Sequence, residues 1–168
     1  YGNSKQLMSW LESRRCDVAV LPNIPEGDDR LDFIPLAPDR LLAFVNQDHA
    51  WADRRTITME ELLGQKIILR EKGSRTRSLF EETVAFSGGV LKSVMEITGR
   101  EGVREAVAAG FGVGIVAETE LSADSRLRPL IVSDADLTLD EYVVCLKERR
   151  SLRVTDAFLE MIQSTRKE

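Results

Sequence analysis

Gly73-Ser-Arg-Thr-Arg77 is the segment of this 168-residue chain best equipped to hold a small molecule. It follows a strand-like run, Lys66-Ile-Ile-Leu69, and precedes Leu79, Phe80, Val84 and Phe86 at helical spacing. Strand, glycine turn and helix start in that order leave hydroxyls and unpaired backbone amides projecting from the carboxyl end of the strand. Such a place attracts an anion or a polar ligand. The same residues fit a plainer role, in which Ser74 or Thr76 caps the helix and both arginines stay in solvent, and the local sequence supports the two equally. Ser78-x-x-Glu81 is a competing capping box that would move the helix start by a few residues. Asn3-Ser4, ahead of Leu7, Met8 and Leu11, is a second polar helix start, and Thr98-Gly-Arg-Glu101 is a third. Single caps are common. Three of them after strand-like segments describe a small-molecule cleft, because ligands of open α/β sheets bind outside the carboxyl ends of the strands. Arg75, Arg77, Arg100 and Arg104 stand near these starts and would suit a carboxylate, phosphonate or sulfate. Solvation, or pairing with Glu101 and Glu105, accounts for them as well.

Other reactive residue types carry weaker signals. His49 is the single histidine, in Asn46-Gln-Asp-His-Ala-Trp51. Beside Asp48 it could serve as a general base, yet no nucleophile elbow and no second metal ligand accompany it, and a turn residue capping local structure is the simpler role. The acidic pairs Asp28-Asp29, Glu60-Glu61 and Glu81-Glu82 lie in loops or helix starts, where solvation and the helix dipole explain them. Gly110-Phe-Gly-Val-Gly114 has a helix before it and a strand after it, the reverse of a dinucleotide fingerprint. It predicts a helix C-cap at Gly110 and close backbone approach where the strand enters the sheet. Cys16 and Cys145 lack metal-ligand spacing and read as free buried thiols. No catalytic residue, metal ligand or cofactor is expected.

The elements that must position these residues alternate. Helices are predicted near residues 4–11, 58–63, 78–86, 100–109, 118–121 and 152–162, and strands at 17–21, 33–36, 40–45, 66–69, 91–97, 113–117, 127–132 and 141–147. Pro22, Pro25, Gly27 and Asp28-Asp29 form a loop between the first two strands. This rhythm predicts an α/β fold with a mostly parallel sheet. The composition agrees with a globular unit: 43% hydrophobic and 30% charged, with 23 basic against 28 acidic residues. A net charge of -5 argues against this stretch gripping nucleic acid by itself. No apolar run approaches the ~20 residues of a membrane helix, and Tyr1-Gly-Asn-Ser-Lys-Gln6 lacks the pattern of a signal peptide.

Taken in order, Gly2-Asn-Ser4 with Leu7 and Leu11, Cys16-Asp-Val-Ala-Val20, Arg70-Glu-Lys-Gly-Ser-Arg-Thr-Arg77 and Glu105-Ala-Val-Ala-Ala-Gly-Phe-Gly-Val-Gly-Ile115 give the chain a family likeness. It resembles the effector-binding domain of LysR-type bacterial transcriptional regulators over nearly its whole length. The resemblance implies a periplasmic-binding-protein-like (type 2) α/β fold of two lobes joined by two crossover strands. Lobe I would comprise residues 1–41 and 145–168 and lobe II residues 42–144, with crossovers near Leu42 and Val144 inside the runs 40–45 and 141–146. A small effector would bind between the lobes, with Ser4, Ser74, Arg75, Thr76, Arg100, Gly112, Val113 and Gly114 as its contacts. The implied protein is a cytoplasmic homodimer or homotetramer, not an enzyme, that meets DNA only through a winged helix-turn-helix and touches no membrane. Relative to the family pattern, that DNA-binding part, a linker helix and the domain's first strand, helix and strand are absent from these residues, and His49-Ala-Trp replaces a His-Pro-hydrophobic run. A transport-associated solute-binding protein of the same lobe architecture is the alternative, and a small hydrolase or transferase using His49 is a third reading.

Overall fold

Reciprocal capping starts the first helix of the computed structural model, which describes residues 2–22, 28–121 and 123–165. The Asn3 side chain accepts the Gln6 N–H at 3.0 Å while the Gln6 side chain accepts the Asn3 N–H at 3.1 Å. Helix α1 (Ser4–Glu12) follows, then β1 (Val18–Pro22), β2 (Leu31–Pro35) and β3 (Asp39–Asn46). Next come β4 (Thr56–Ile57), α2 (Met59–Leu63), β5 (Ile67–Arg70), α3 (Arg75–Phe86) and β6 (Val94–Ile97). The chain continues through α4 (Arg100–Ala108), β7 (Val113–Ala117), a one-turn 3-10 helix (Glu118–Glu120), β8 (Leu127–Val132), β9 (Thr138–Leu139), β10 (Glu141–Leu146) and α5 (Arg153–Thr165). Pro25 and Gly27 of the expected loop lie outside the described residues. The strand expected at residues 91–97 begins only at Val94.

The chain forms two compact units, Tyr1–Pro38 with Asp140–Glu168, and Asp39–Leu139. In the first, β10 lies between β1 and β2 and runs antiparallel to both. One face of this sheet is covered by α1, whose Leu11 is buried with Ala19, Leu21, Leu31 and Val144. The other packs on α5 through Leu159, Ile34, Val143 and Cys145. Strict alternation along each strand produces the two faces.

The second unit holds a seven-stranded sheet in the order β4-β8-β3-β7-β5-β6, with β9 added beside the start of β3. Residues 41–45 of β3 and all of β7 are buried, as expected for uninterrupted apolar runs covered on both faces. Phe80 and Val84 of α3 join one core, and Val103, Ala106 and Val107 of α4 join the other with Phe44 and Ile68. Each large side chain so buried contributes about 1.5–3 kcal/mol.

The sheets are mixed, not mostly parallel. Among the described residues β4–β8, β5–β6 and β5–β7 pair parallel, whereas β1–β10, β10–β2, β3–β7, β3–β8 and β3–β9 pair antiparallel. Helix-strand rhythm does not specify this, because the partners of β3 and β10 come from far along the chain and only tertiary pairing orients them. The same pairing assigns whole strands to units. All of β3 belongs to the second unit and all of β10 to the first, so the chain passes between units after Pro38 and again after Leu139. The expected passages lay inside those strands, near Leu42 and Val144.

Candidate functional site

Strands β5, β6 and β7 run parallel, and their register gathers one set of ends. Arg70 lies opposite Ile97, the two last residues of β5 and β6, and Ile67 lies opposite Val113, the two first residues of β5 and β7. The carboxyl ends Arg70, Ile97 and Ala117 therefore form one edge of the second unit. The start of β3 reaches the same edge, because Leu41 pairs with Ala117. Helices α3 and α4 begin just beyond it.

At α3 the chain turns through Gly73, which has a positive φ of 95°, into the N-cap Ser74. Ser74 is only 1% exposed, and its hydroxyl neither caps the helix nor meets any other partner. Arg70 Nε is likewise buried and unpartnered. Two of the three such side-chain atoms among the described residues thus lie within five residues of each other, the third being Arg104 Nε on α4. Buried polar atoms without partners are rare in native proteins, so each one calls for an explanation. The helix beyond is anchored by Arg77, buried itself, which donates to the carbonyl of Arg70 at 2.9 Å and pairs with Glu81 and Glu96. These bonds tie α3 to β5 and β6.

At α4 the N-cap is Gly99, with φ 81° and no side chain to cap with. Its N–H donates instead to Glu71 Oε2 at 3.0 Å, and Arg70 Nη2 donates to Glu71 Oε1 at 2.9 Å. Burial pushes the Glu71 carboxyl up, but the N–H groups of Gly99 and of Glu71 itself, with the Arg70 guanidinium, hold it down at about 2. Arg100 pairs with Glu120 at 3.0 Å. Beyond β7, the Thr119 hydroxyl donates to the buried carboxylate of Asp39, and Arg40 pairs with Glu118 at 2.6 Å.

Ser74, Arg75, Thr76 and Arg100 thus come together at one edge, in agreement with their adjacent strands. Gly112, Val113 and Gly114 do not join them. They lie at the opposite end of the parallel strands, beside Ile67 and Ile68, where a Cβ on Gly112 would stand 2.3 Å from the Lys66 carbonyl oxygen and one on Gly114 would stand 2.4 Å from the Phe44 ring. Their role is close packing, and Gly110, φ 80°, ends α4 as expected. Ser4 is the first residue of α1 in the other unit, half-buried, with Asn3 as the cap. Arg75 pairs with Glu82 at 2.7 Å and Arg104 with Asp124 at 3.4 Å, while Glu105 pairs with Arg126.

His49 is a turn residue, its Nδ1 accepting the Trp51 N–H at 3.1 Å. Burial pushes both thiols up, and Cys16 is half-buried, not fully buried as expected. Among the described residues no group of His, Cys, Asp or Glu is placed to hold a metal ion, and no helix is long and apolar enough to cross a membrane. Arg70, Glu71, Asp39, Thr119 and Glu120 were not among the expected site residues. Arg70-Glu71 directly precede the glycine turn and were open to notice, whereas the Asp39–Thr119 contact depends on the antiparallel pairing of β3 with β7.

The family model described as the LysR substrate binding domain matches residues 1–167. The chain belongs to the LysR substrate binding domain family. It is 26% identical over 165 residues to the RuBisCO operon transcriptional regulator of Allochromatium vinosum, covering 96% of this chain and 54% of that protein. A LysR substrate binding domain of this size spans about half the length of the curated relatives it matches. Among solved structures, the CcmR regulatory domain of Synechocystis PCC6803 in complex with 2-PG superposes with a TM-score of 0.83 at 23% identity, covering 97% of this chain and 79% of that one. The effector binding domain of QuiR in complex with shikimate gives 0.82 at 18% identity, covering 95% and 76%. The fold is that of these type 2 periplasmic-binding-protein-like effector domains.

Proposed function

We propose that this LysR substrate binding domain is the ligand-sensing part of a cytoplasmic DNA-binding transcription factor, and that it receives a small metabolite at the edge formed by Arg70, Ser74, Thr76 and Arg100. The observation that carries the site is the buried, unpartnered Ser74 hydroxyl at the start of a twelve-residue helix, four residues after Arg70, whose buried Nε is also unpartnered. The helix start supplies amides and a hydroxyl, and the end of β5 a guanidinium N–H, as donors suited to an acceptor group such as a carboxylate or phosphate oxygen. Relatives in complex with 2-PG and with shikimate support this class of ligand. A ligand acts as a signal only if it binds two arrangements of the protein with different affinity. The curated relatives are named as transcriptional regulators, which favours a regulator over a transport-associated solute-binding protein and over an enzyme.

DNA contact is assigned to a winged helix-turn-helix elsewhere in the regulator, in line with the charge of -5 here. Self-association as a homodimer or homotetramer is supported by exposed apolar side chains on the second unit. Phe86 at the end of α3 is 95% exposed, Val90 68%, and Val94 on the edge strand β6 41%. Isothermal titration against small acids, including 2-PG and shikimate, tests the site. Saturable heat that weakens in Ser74→Ala is expected, and uniformly absent heat from a regulator that still responds in cells would overturn it.

A further inference from the structure

Two helix N-termini follow the carboxyl ends of neighbouring strands β5 and β6, and they are not equivalent. The start of α3 holds a buried hydroxyl, Ser74 Oγ, and a buried N–H, Arg70 Nε, neither with a partner. At the start of α4 the N-cap amide is taken up within the chain, since Glu71 accepts the Gly99 N–H at 3.0 Å and pairs with Arg70 at 2.9 Å. A helix start attracts anions because its first amides point outward and its dipole favours negative charge. The Glu71 carboxylate holds the first of these amides at α4.

We infer that Glu71 is a specificity-determining residue: its carboxylate closes the α4 start to anions, so that the acidic group of a ligand is received at the α3 start alone. The inference rests on the proposed ligand edge and adds a choice between its two helices. Displacing Glu71 would break the Gly99 hydrogen bond and also leave the guanidinium of Arg70, itself mostly buried, without its carboxylate. A second anionic group brought to α4 would meet like charge at short range. The carboxyl, held down at about 2, remains ionised throughout the neutral range. At this edge the protein therefore selects small molecules that direct one acidic group to Ser74 and neutral hydrogen-bonding groups, such as hydroxyls, to α4.

Amide NMR spectra of the protein titrated with sodium sulfate at constant ionic strength test this with a probe of known chemistry. In the wild type the amides of Arg75, Thr76 and Arg77 should shift saturably while Gly99 stays still. In Glu71→Ala, Gly99 should also shift saturably, and formate should move it too by taking the vacated place. Glu71→Gln keeps the shape of the side chain without its charge, and serves if the alanine variant does not fold. Gly99 should respond in it as well, at higher sulfate. A Gly99 amide that follows sulfate in the wild type would overturn the inference, as would one that ignores sulfate in folded variants whose α3 amides respond. Silence of Arg75, Thr76 and Arg77 at every concentration, with Gly99 responding in the variants, would remove the ligand reading of α3 and leave the blocking by Glu71 standing.

Discussion

The parallel strands β5, β6 and β7 end differently at their two edges. At the amino edge of β5 and β7, Gly112 and Gly114 let backbone and ring approach so closely that a methyl group would not fit. At the carboxyl edge the residues are polar and part of their bonding capacity is left open, at Ser74 Oγ and Arg70 Nε. Among the described residues, no unpartnered buried side-chain atom is found at the first edge, whereas the second has two. Glycines resembling a nucleotide loop are thus tightly packed, while an ordinary-looking serine at a helix start has an unpartnered hydroxyl, on which the proposed site rests. The completeness of bonding, more than the residue type, separates structure from function here.

Substitutions at the two edges should therefore separate stability from binding. Gly112→Ala places a methyl group against the Lys66 carbonyl and should lower unfolding free energy by about 2–3 kcal/mol, read by urea denaturation. An unchanged midpoint would mean that the amino edge is looser than described. Ser74→Ala should leave stability within about 1 kcal/mol of the wild type, since no bond within the protein is lost. It should weaken ligand binding about tenfold, or about 1.4 kcal/mol, by calorimetry. Thr58 sharpens the contrast, because its hydroxyl does cap α2, accepting the Glu61 N–H at 3.2 Å. Thr58→Ala should cost about 1 kcal/mol of stability with no change in ligand affinity. The smallest effect is expected from Arg40→Ala, whose pair with Glu118 is half exposed. No resolvable change in thermal melts is predicted, and a clear loss would show that this contact on the carboxyl edge supports the fold.

How much of this was legible in the sequence depends on the range of the interaction. The helix starts at Asn3-Ser4 and Thr58, the C-terminal glycine at Gly110 and the order of helices and strands are local, and they agree with the structure. Ser74, Arg75, Thr76 and Arg100 could be placed at one edge because β5-α3 and β6-α4 are consecutive strand-helix units. Gly112, Val113 and Gly114 do not lie with them, because strand direction decides which end of β7 reaches that edge and these residues stand at its opposite, amino end. The antiparallel insertion of β3 beside β7 is equally non-local, so the Asp39–Thr119 contact had no local signature. The arginine partners were misassigned for a related reason. Side chains of this length reach across elements, as Arg100 does to Glu120 and Arg77 to Glu96.

The central claim is that a small molecule completes the carboxyl edge. An amide-shift map with the tightest-binding member of the acid panel tests it most directly. The account predicts saturable shifts centred on Ser74, Arg75, Thr76 and Arg77, with smaller ones near Arg100. Shifts centred on Lys66, Gly112 and Gly114 at the opposite edge would contradict it.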